Sequence, residues 1–543
     1  MVSRNYVHLV ATFILVIATI AIRIIHIEAD TPSGLSFCAG LYVDEGYKTL
    51  SPRNLALYGK THWNAADTYV GWMKASPATQ WPVYGAFKSF GVNLKSARII
   101  PIICFSLFVL LYVFLMRRKY EPKLFYLGFI LFATDITFFT FSRIALFEME
   151  LTLFFYAIML PILLFNEEKK LSIIPTVYVL IGGLIIAYTI KKSAMVYLLP
   201  ILAATLITLV KDNKNITKKQ IVFFASILLI PSILVSISVW PYFAARLSAL
   251  SPIPYIYSVL KDDLLRTSPI IVASMLCAAH AITYQSHRYF NNLYRLSLLC
   301  LVILPPFILG FFYSPLRYHV PFLPAYILLI VEWFRTTIFD TKPKSTNYLL
   351  SCFGFLIFGL AIAHAFIAAF IAFNLFEKVQ MYQIVIISTI TTPILWSLRR
   401  YLFSNRSASY VVASIILFSV FFSVHYIGSF IANPSYQSNE IRAKLRNLVR
   451  EDEVIAGDWA PFLTLGTPIK AIYSDGIYFN LPESLKIIKP DYYMLCETNV
   501  SLKLFDLLKN DKDIIVSDSP INLGIYNESN VFIYPLLYKK SLD

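Results

Sequence analysis

Apolar residues in this chain gather in long runs separated by short charged segments, without the alternation of a half-buried strand. A bilayer core needs about 20 apolar residues per helix. Runs of this kind occupy residues 6–27, 99–116, 124–141, 151–165, 173–190, 194–210, 221–239, 270–284, 296–313, 320–334, 349–373, 384–396 and 411–427. They predict a polytopic α-helical membrane protein with about 13 spans.

The polar segments set the expected orientation, because Lys and Arg collect on the cytoplasmic side. With Arg4 and the N terminus inside, the alternate loops RRKYEPK (from 117), NEEKK (166), KDNKNITKK (211), QSHRYFNNLYR (285), RTTIFDTKPK (335) and SLRRYLFSNRS (397) are all basic. An odd number of spans then places everything after residue 427 outside. Residues 1–27 resemble a signal peptide, but their long apolar run and the lack of a small-x-small site before Ala29 predict a retained first helix.

Three polar regions remain. Residues 28–97 form a first outer loop with amphipathic stretches at 52–58 and 83–90, the pattern of helices lying on a membrane surface. Residues 240–267 mix aromatics with charge as interfacial segments do. The tail, 433–543, carries short β-prone runs at EVIAGD (453), AIYSDG (471), DYYMLCE (491), DIIVSD (513), LGIYN (523) and VFIYPL (531). Amphipathic helical stretches at 438–449 and 500–508 fall between them. The expected organisation is a membrane module over 1–432 and a small extracytoplasmic α/β domain over 433–543.

Composition agrees. Of 543 residues 57% are hydrophobic and 15% charged, below the roughly 25% of soluble domains, and the mean hydropathy is +0.64. The net charge of +15 follows from topology and contact with anionic lipid headgroups, so no nucleic-acid partner is needed to explain it. Cys104, Cys277, Cys300 and Cys352 fall inside predicted spans and no C-x-x-C occurs. Cys38 and Cys496 both fall outside, where a disulfide stays open because a sequence holds no distance. Neither a G-x-G-x-x-G nor a G-x-x-x-x-G-K-[ST] nucleotide motif is present.

Candidate chemistry lies in the outer segments. Asp44 and Glu45 stand side by side in LYVDEGYKTLSPRNLALYGK, residues 41–60. A carboxylate beside an apolar surface can serve as a general base, its pKa adjustable by burial; charge alone fits a solvated loop equally well. Glu148 and Glu150 follow Arg143 in FSRIALFEMELTLFF, where they could equally favour a helix N terminus. Lys191 and Lys192, in AYTIKKSAMVYLLP, fall on the outer side against the positive-inside expectation. An ammonium at that depth is a good partner for a lipid-linked phosphate. Arg317 and Tyr318, in SPLRYHVPFLPAY, precede a proline-punctuated helix; the guanidinium could bridge phosphate oxygens or merely snorkel to the interface.

In order, D-E-G-Y with R-N-L-A-L-Y-G, Lys74 and Pro77 in WMKASPATQWPVY, FKSFGVNLKSARIIP, the Arg143–Glu148 pair, Lys191 with Lys192, and Arg317-Tyr318 resemble the GT-C superfamily of glycosyltransferases, especially its protein O-mannosyltransferase and aminoarabinose-transferase branches. The resemblance runs from Tyr42 to about Pro324; the glutamate at 148 stands where such families commonly carry Asp. It implies a polyprenyl-phosphate-linked sugar as donor and an extracytoplasmic lipid, protein or polysaccharide as acceptor. It also implies catalytic roles for Asp44, Glu45 and Glu148, and donor-phosphate contacts from Lys74, Arg143, Lys191, Lys192, Arg317 and Tyr318. Asp44 would be the base of an inverting transfer. A divalent metal stays open: His62 and His319 both fall outside but lack ligand spacing, and no W-W-D-Y-G-type motif of metal-dependent oligosaccharyltransferases is present. Rival classes are a flippase of lipid-linked sugars, though matching halves with broken helices are not evident, and a glycan ligase using a polyprenyl-diphosphate donor.

The topology is testable through four sequons. Expression in a glycosylating host should modify at most Asn499 and Asn527, never Asn215 or Asn405, as read by glycosidase-sensitive mobility shifts.

Overall fold

The computed structural model describes residues 4–31, 40–63, 65–69, 71–74, 76–164, 173–191, 199–201, 203–205, 207–208, 269–310, 316–338, 348–372, 381–398, 405–474, 480, 482–497, 499–526 and 529–539. Runs 221–239, most of 194–210, and the interfacial segment 240–267 lie outside them. The chain divides into two compact units.

One unit comprises Ala21–Cys104, Ser142–Phe147 and Phe430–Asp543. Its sheet contains β1 (Val454–Gly457), β2 (Lys470–Tyr473), β3 (Tyr492–Cys496), β4 (Ile514–Val516), β5 (Ile521–Tyr526) and β6 (Ser529–Tyr538), and these strands form on the six β-prone runs. The order is β2-β1-β3-β6-β4, with β5 also paired to β6. β1 runs parallel to β2 and β3, whereas β6 runs antiparallel to β3, β4 and β5.

Because side chains alternate across a strand, each strand feeds two apolar layers. Ala456, Ile472, Tyr493 and Leu495 face a layer closed by Leu485, Phe505 and Leu508. These come from the helices Pro482–Ile488 and Asn499–Lys509. Ile455, Ala471, Met494 and Cys496 face the other layer, which takes in Ile441 and Leu445 of the helix Gln437–Leu448 and also Leu50, Val83, Phe87, Leu94 and Ala97. The sequence divides the chain at residue 433, but the compact unit reaches back across that line. The tail's helices do not account for both faces of its sheet, and one face shares a core with the segment that follows the first helix. Burial pushes the Cys496 thiol up to about 12; Cys38 lies outside the described residues.

Close backbone approach joins the two sequence regions. Within the helix Gly40–Tyr58, a Cβ on Gly46 would lie 2.3 Å from the Phe462 amide nitrogen, so only glycine fits there. Arg53, on the same helix, is fully buried and donates to the carbonyls of Thr464 (3.4 Å), Thr467 (3.1 Å) and Ile469. Burial lowers its pKa.

The other unit comprises Met1–Ile20, Phe105–Phe141 and Glu148–Ser429. Its described helices include Pro122–Thr134, Ile136–Phe141, Glu148–Leu163, Ile173–Thr189, Pro269–Tyr284, Leu293–Gly310, Leu323–Ile338, Tyr348–Ala372 and Met381–Ser397. Helix is the form that satisfies backbone polar groups within one apolar segment. Tyr6–Ile24, Leu94–Lys119 and Ser407–Leu448 are long and apolar enough to cross a membrane, by length and composition. Two runs depart from single helices. The run at 124–141 breaks at Asp135, whose carboxylate accepts from the Phe138 amide at 2.9 Å and starts a new helix. The run at 320–334 begins as a 3-10 turn, Leu316–Phe322, containing Pro321.

Replacing Arg53 by Met removes the donor shared by three buried carbonyls. The expected cost is about 3 kcal/mol, read as a lower unfolding temperature and faster proteolysis of the tail, with helix content of the membrane module retained.

Candidate functional site

Asp44 and Glu45 sit on the first turns of the helix Gly40–Tyr58, 6% and 0% exposed. Consecutive helical residues point about 100° apart, so what holds Glu45 also aims Asp44. Glu45 is tightly held: its Oε1 accepts from Arg98 Nε (2.8 Å) and from the Ala145 amide (2.9 Å), and its Oε2 from Arg98 Nη2 (2.8 Å). The remaining Arg98 donors reach the carbonyls of Ile27 (2.8 Å) and Ala29 (2.6 Å). One carboxylate thus ties the helix Gly40–Tyr58, the helix Leu94–Lys119, the 142–147 segment and the chain after the first helix into one frame. Glu45 is a positioning residue in this geometry, and Asp44 is its differently directed neighbour.

Arg143 is committed locally. Its guanidinium donates to the carbonyls of Ile25 (2.6 Å) and His26 (2.5 Å), beyond the end of the helix Arg4–Ile24, and lies 4.6 Å from the Phe430 ring centroid. Cations suit the last carbonyls of a helix. Burial, with Arg98 and Arg23 nearby, pushes its pKa down to about 9, so it stays charged at neutral pH. The structure therefore shows Arg143 capping a helix, a role the sequence pattern did not reveal. Lys74 is exposed, in the turn before the helix Pro77–Phe90. Lys48, one turn beyond Asp44, is 3% exposed with its Nζ 4.6 Å from the Phe147 ring centroid.

In the other unit, three segments distant in sequence bring their polar groups together. Glu148 opens the helix Glu148–Leu163 and is 0% exposed. Lys191, just past the helix Ile173–Thr189, donates to Glu148 Oε1 at 3.1 Å. The same Nζ lies 4.1 Å from the Tyr318 ring centroid, and the Arg317 guanidinium lies 5.6 Å from that ring. An anionic end, two cations and an aromatic face make a surround able to orient a lysine toward a phosphate. Glu150 is also buried; Lys192 lies outside the described residues. Among the described residues no three His, Cys, Asp or Glu groups gather as a metal site. His319 is buried with its Nδ1 3.4 Å from the Tyr326 hydroxyl, and His62 Nδ1 lies 3.1 Å from the Thr61 hydroxyl.

Arg98, the partner of Glu45, is a residue that sequence reasoning did not single out. A signal was present, since it lies in FKSFGVNLKSARIIP, but nothing in the sequence names its partner. Lys48 gave no signal beyond its charge, and Arg53 stood only as the first residue of R-N-L-A-L-Y-G.

Glu45→Ala should cost about 3–5 kcal/mol, because it strands a buried guanidinium. The isosteric Asp44→Asn should melt close to the parent in the same thermal-denaturation measurement.

The family model for dolichyl-phosphate-mannose-protein mannosyltransferase matches residues 67–259. No curated protein matches the chain. Among solved structures, ArnT from Cupriavidus metallidurans in the apo state aligns over 97% of both chains with a TM-score of 0.50 and 10% identity. The same enzyme bound to undecaprenyl phosphate aligns over 97% of both chains at 0.45 and 11%. The Archaeoglobus fulgidus oligosaccharyltransferase tethered to an acceptor peptide gives 0.47 and 10%, over 91% of this chain and 69% of that one. Over residues 67–259 the chain is similar to the dolichyl-phosphate-mannose-protein mannosyltransferase family, in agreement with the resemblance legible in its sequence, and its fold is similar to that of ArnT.

Proposed function

We propose that this protein is an inverting glycosyltransferase that moves a sugar from a polyprenyl-phosphate donor to an extracytoplasmic acceptor. The observation that carries the reading is the cluster of Glu148, Lys191, Tyr318 and Arg317, in which Lys191 pairs with a buried carboxylate and cations from separate parts of the chain lie against one tyrosine ring. The donor class is the one in the matched family's name.

Asp44 takes the proton from an acceptor hydroxyl or amine as its oxygen or nitrogen attacks the anomeric carbon. The bond from that carbon to the phosphate oxygen breaks, its electron pair leaves with the polyprenyl phosphate, and one displacement inverts the anomeric centre. Lys191 and Arg317 stabilise the charge developing on the leaving phosphate, with Lys74, Lys192 and Tyr318 as further donors to it. Glu148 holds Lys191 in place, and Glu45 aims the helix that carries Asp44. No step is routed through a metal. The 433–543 domain recognises or gates the acceptor on the outer side.

The test is transfer of label from radiolabelled polyprenyl-phosphate sugars to fractions of a membrane extract by the purified protein. Asp44→Asn should lower turnover by about 10²–10⁴-fold, and Lys191→Ala by about 10²-fold or more, with folding intact. Full turnover in Asp44→Asn refutes the base assignment. Facilitated movement of the donor across vesicles without any transfer would instead identify a flippase.

A further inference from the structure

A second charged cluster lies in the unit containing Glu148–Ser429 and takes no part in the proposed reaction. The helix Leu94–Lys119 ends there, the helix Leu293–Gly310 begins there, and the helix Leu323–Ile338 passes through its last turns. Glu332 is fully buried and, through the single oxygen Oε1, accepts from Arg295 Nε at 2.6 Å and from Arg335 Nη2 at 2.7 Å. Lys119 Nζ lies 4.5 Å from the Tyr294 ring centroid, and the Arg335 guanidinium lies 5.8 Å from that of Tyr120. The two tyrosine hydroxyls hydrogen-bond at 2.6 Å and fix the rings as one aromatic floor.

Arg295 and Arg335 pair with one carboxylate and Lys119 lies on the adjoining Tyr294 ring, so these three cations and one anion leave an excess of two positive charges. Glu332 engages one N–H of each guanidinium, and a guanidinium carries five in a planar fork matched to phosphate oxygens. The Arg295 and Arg335 side chains are 16% and 32% exposed, so an outside group can reach them. Partly desolvated cations at a helix end favour an anionic partner. These ends belong to the loops RRKYEPK, QSHRYFNNLYR and RTTIFDTKPK, which their charge assigns to the cytoplasmic face, where the leaflet is anionic.

We propose that Arg295, Arg335 and Lys119 form a binding site for the phosphodiester of an anionic phospholipid headgroup, with Glu332 as an internal counter-ion that occupies one donor of each arginine and competes with the headgroup for them. A zwitterionic headgroup brings its own cation to the same place and is disfavoured.

The probe is phosphatidylglycerol added to the delipidated full chain, with binding read by native mass spectrometry. Phosphatidylcholine and inorganic phosphate provide the comparison arms. Phosphatidylglycerol should bind and resist displacement by excess inorganic phosphate, while phosphatidylcholine should bind more weakly. Arg335→Gln should weaken binding about five-fold, and the triple change Arg295→Gln, Glu332→Gln, Arg335→Gln about 25-fold. Glu332→Gln alone frees arginine donors and should tighten binding, the opposite of what a purely structural role gives. Lys119→Gln leaves the Glu332 network whole and should weaken binding, so the test survives if a network variant fails to fold. Equal affinity for both lipids, displacement by phosphate, unchanged binding in the triple or Lys119→Gln variants, or weaker binding in Glu332→Gln each overturns the proposal.

Discussion

Two charges almost shut off from water, Arg98 and Glu45, hold one another through two hydrogen bonds, and much of the unit around them is arranged to keep both satisfied. A carboxylate buried this deeply needs its hydrogen-bonding capacity filled. The Ala145 amide supplies what Arg98 does not, and two carbonyls from the chain after the first helix take the remaining guanidinium donors. Four stretches of chain are therefore fixed by one pair. The helix carrying Asp44 gains a definite rotation in consequence, which a loop exposed to solvent could not impose on that side chain.

That frame continues into the sheet. Gly46 allows the helix Gly40–Tyr58 to lie against Phe462, and Arg53 donates to carbonyls of the turn after residue 463. The helix that carries Asp44 is thus also an element of the tail's core. The membrane-rich unit follows the same rule at lower density. Two of its buried carboxylates, Glu148 and Glu332, accept from basic partners, as apolar surroundings favour.

Some of this was legible from residues alone. Helices formed on the apolar runs within the described residues, and strands on all six short β-prone runs of the tail, because hydrophobic period and β-branched content act locally. The sequence marked the segments of Glu148, Lys191 and Tyr318 separately, and the structure brings these three residues together. The partners within each motif were not visible. That Glu45 is locked in an ion pair with Arg98, and that Arg143 caps a helix, does not follow from residue type.

The amino-acid sequence by itself determined which stretches are helix, strand or polar turn, since these depend on neighbours a few positions away. Only the tertiary structure decided which carboxylate pairs with Arg98, that the tail's sheet shares its core with the 40–97 region, and that Arg295 and Arg335 pair with one glutamate beside Lys119 and Tyr294. Those outcomes depend on contacts between residues far apart in the chain, where the cost of burying a charge unpaired selects a partner that no local pattern encodes.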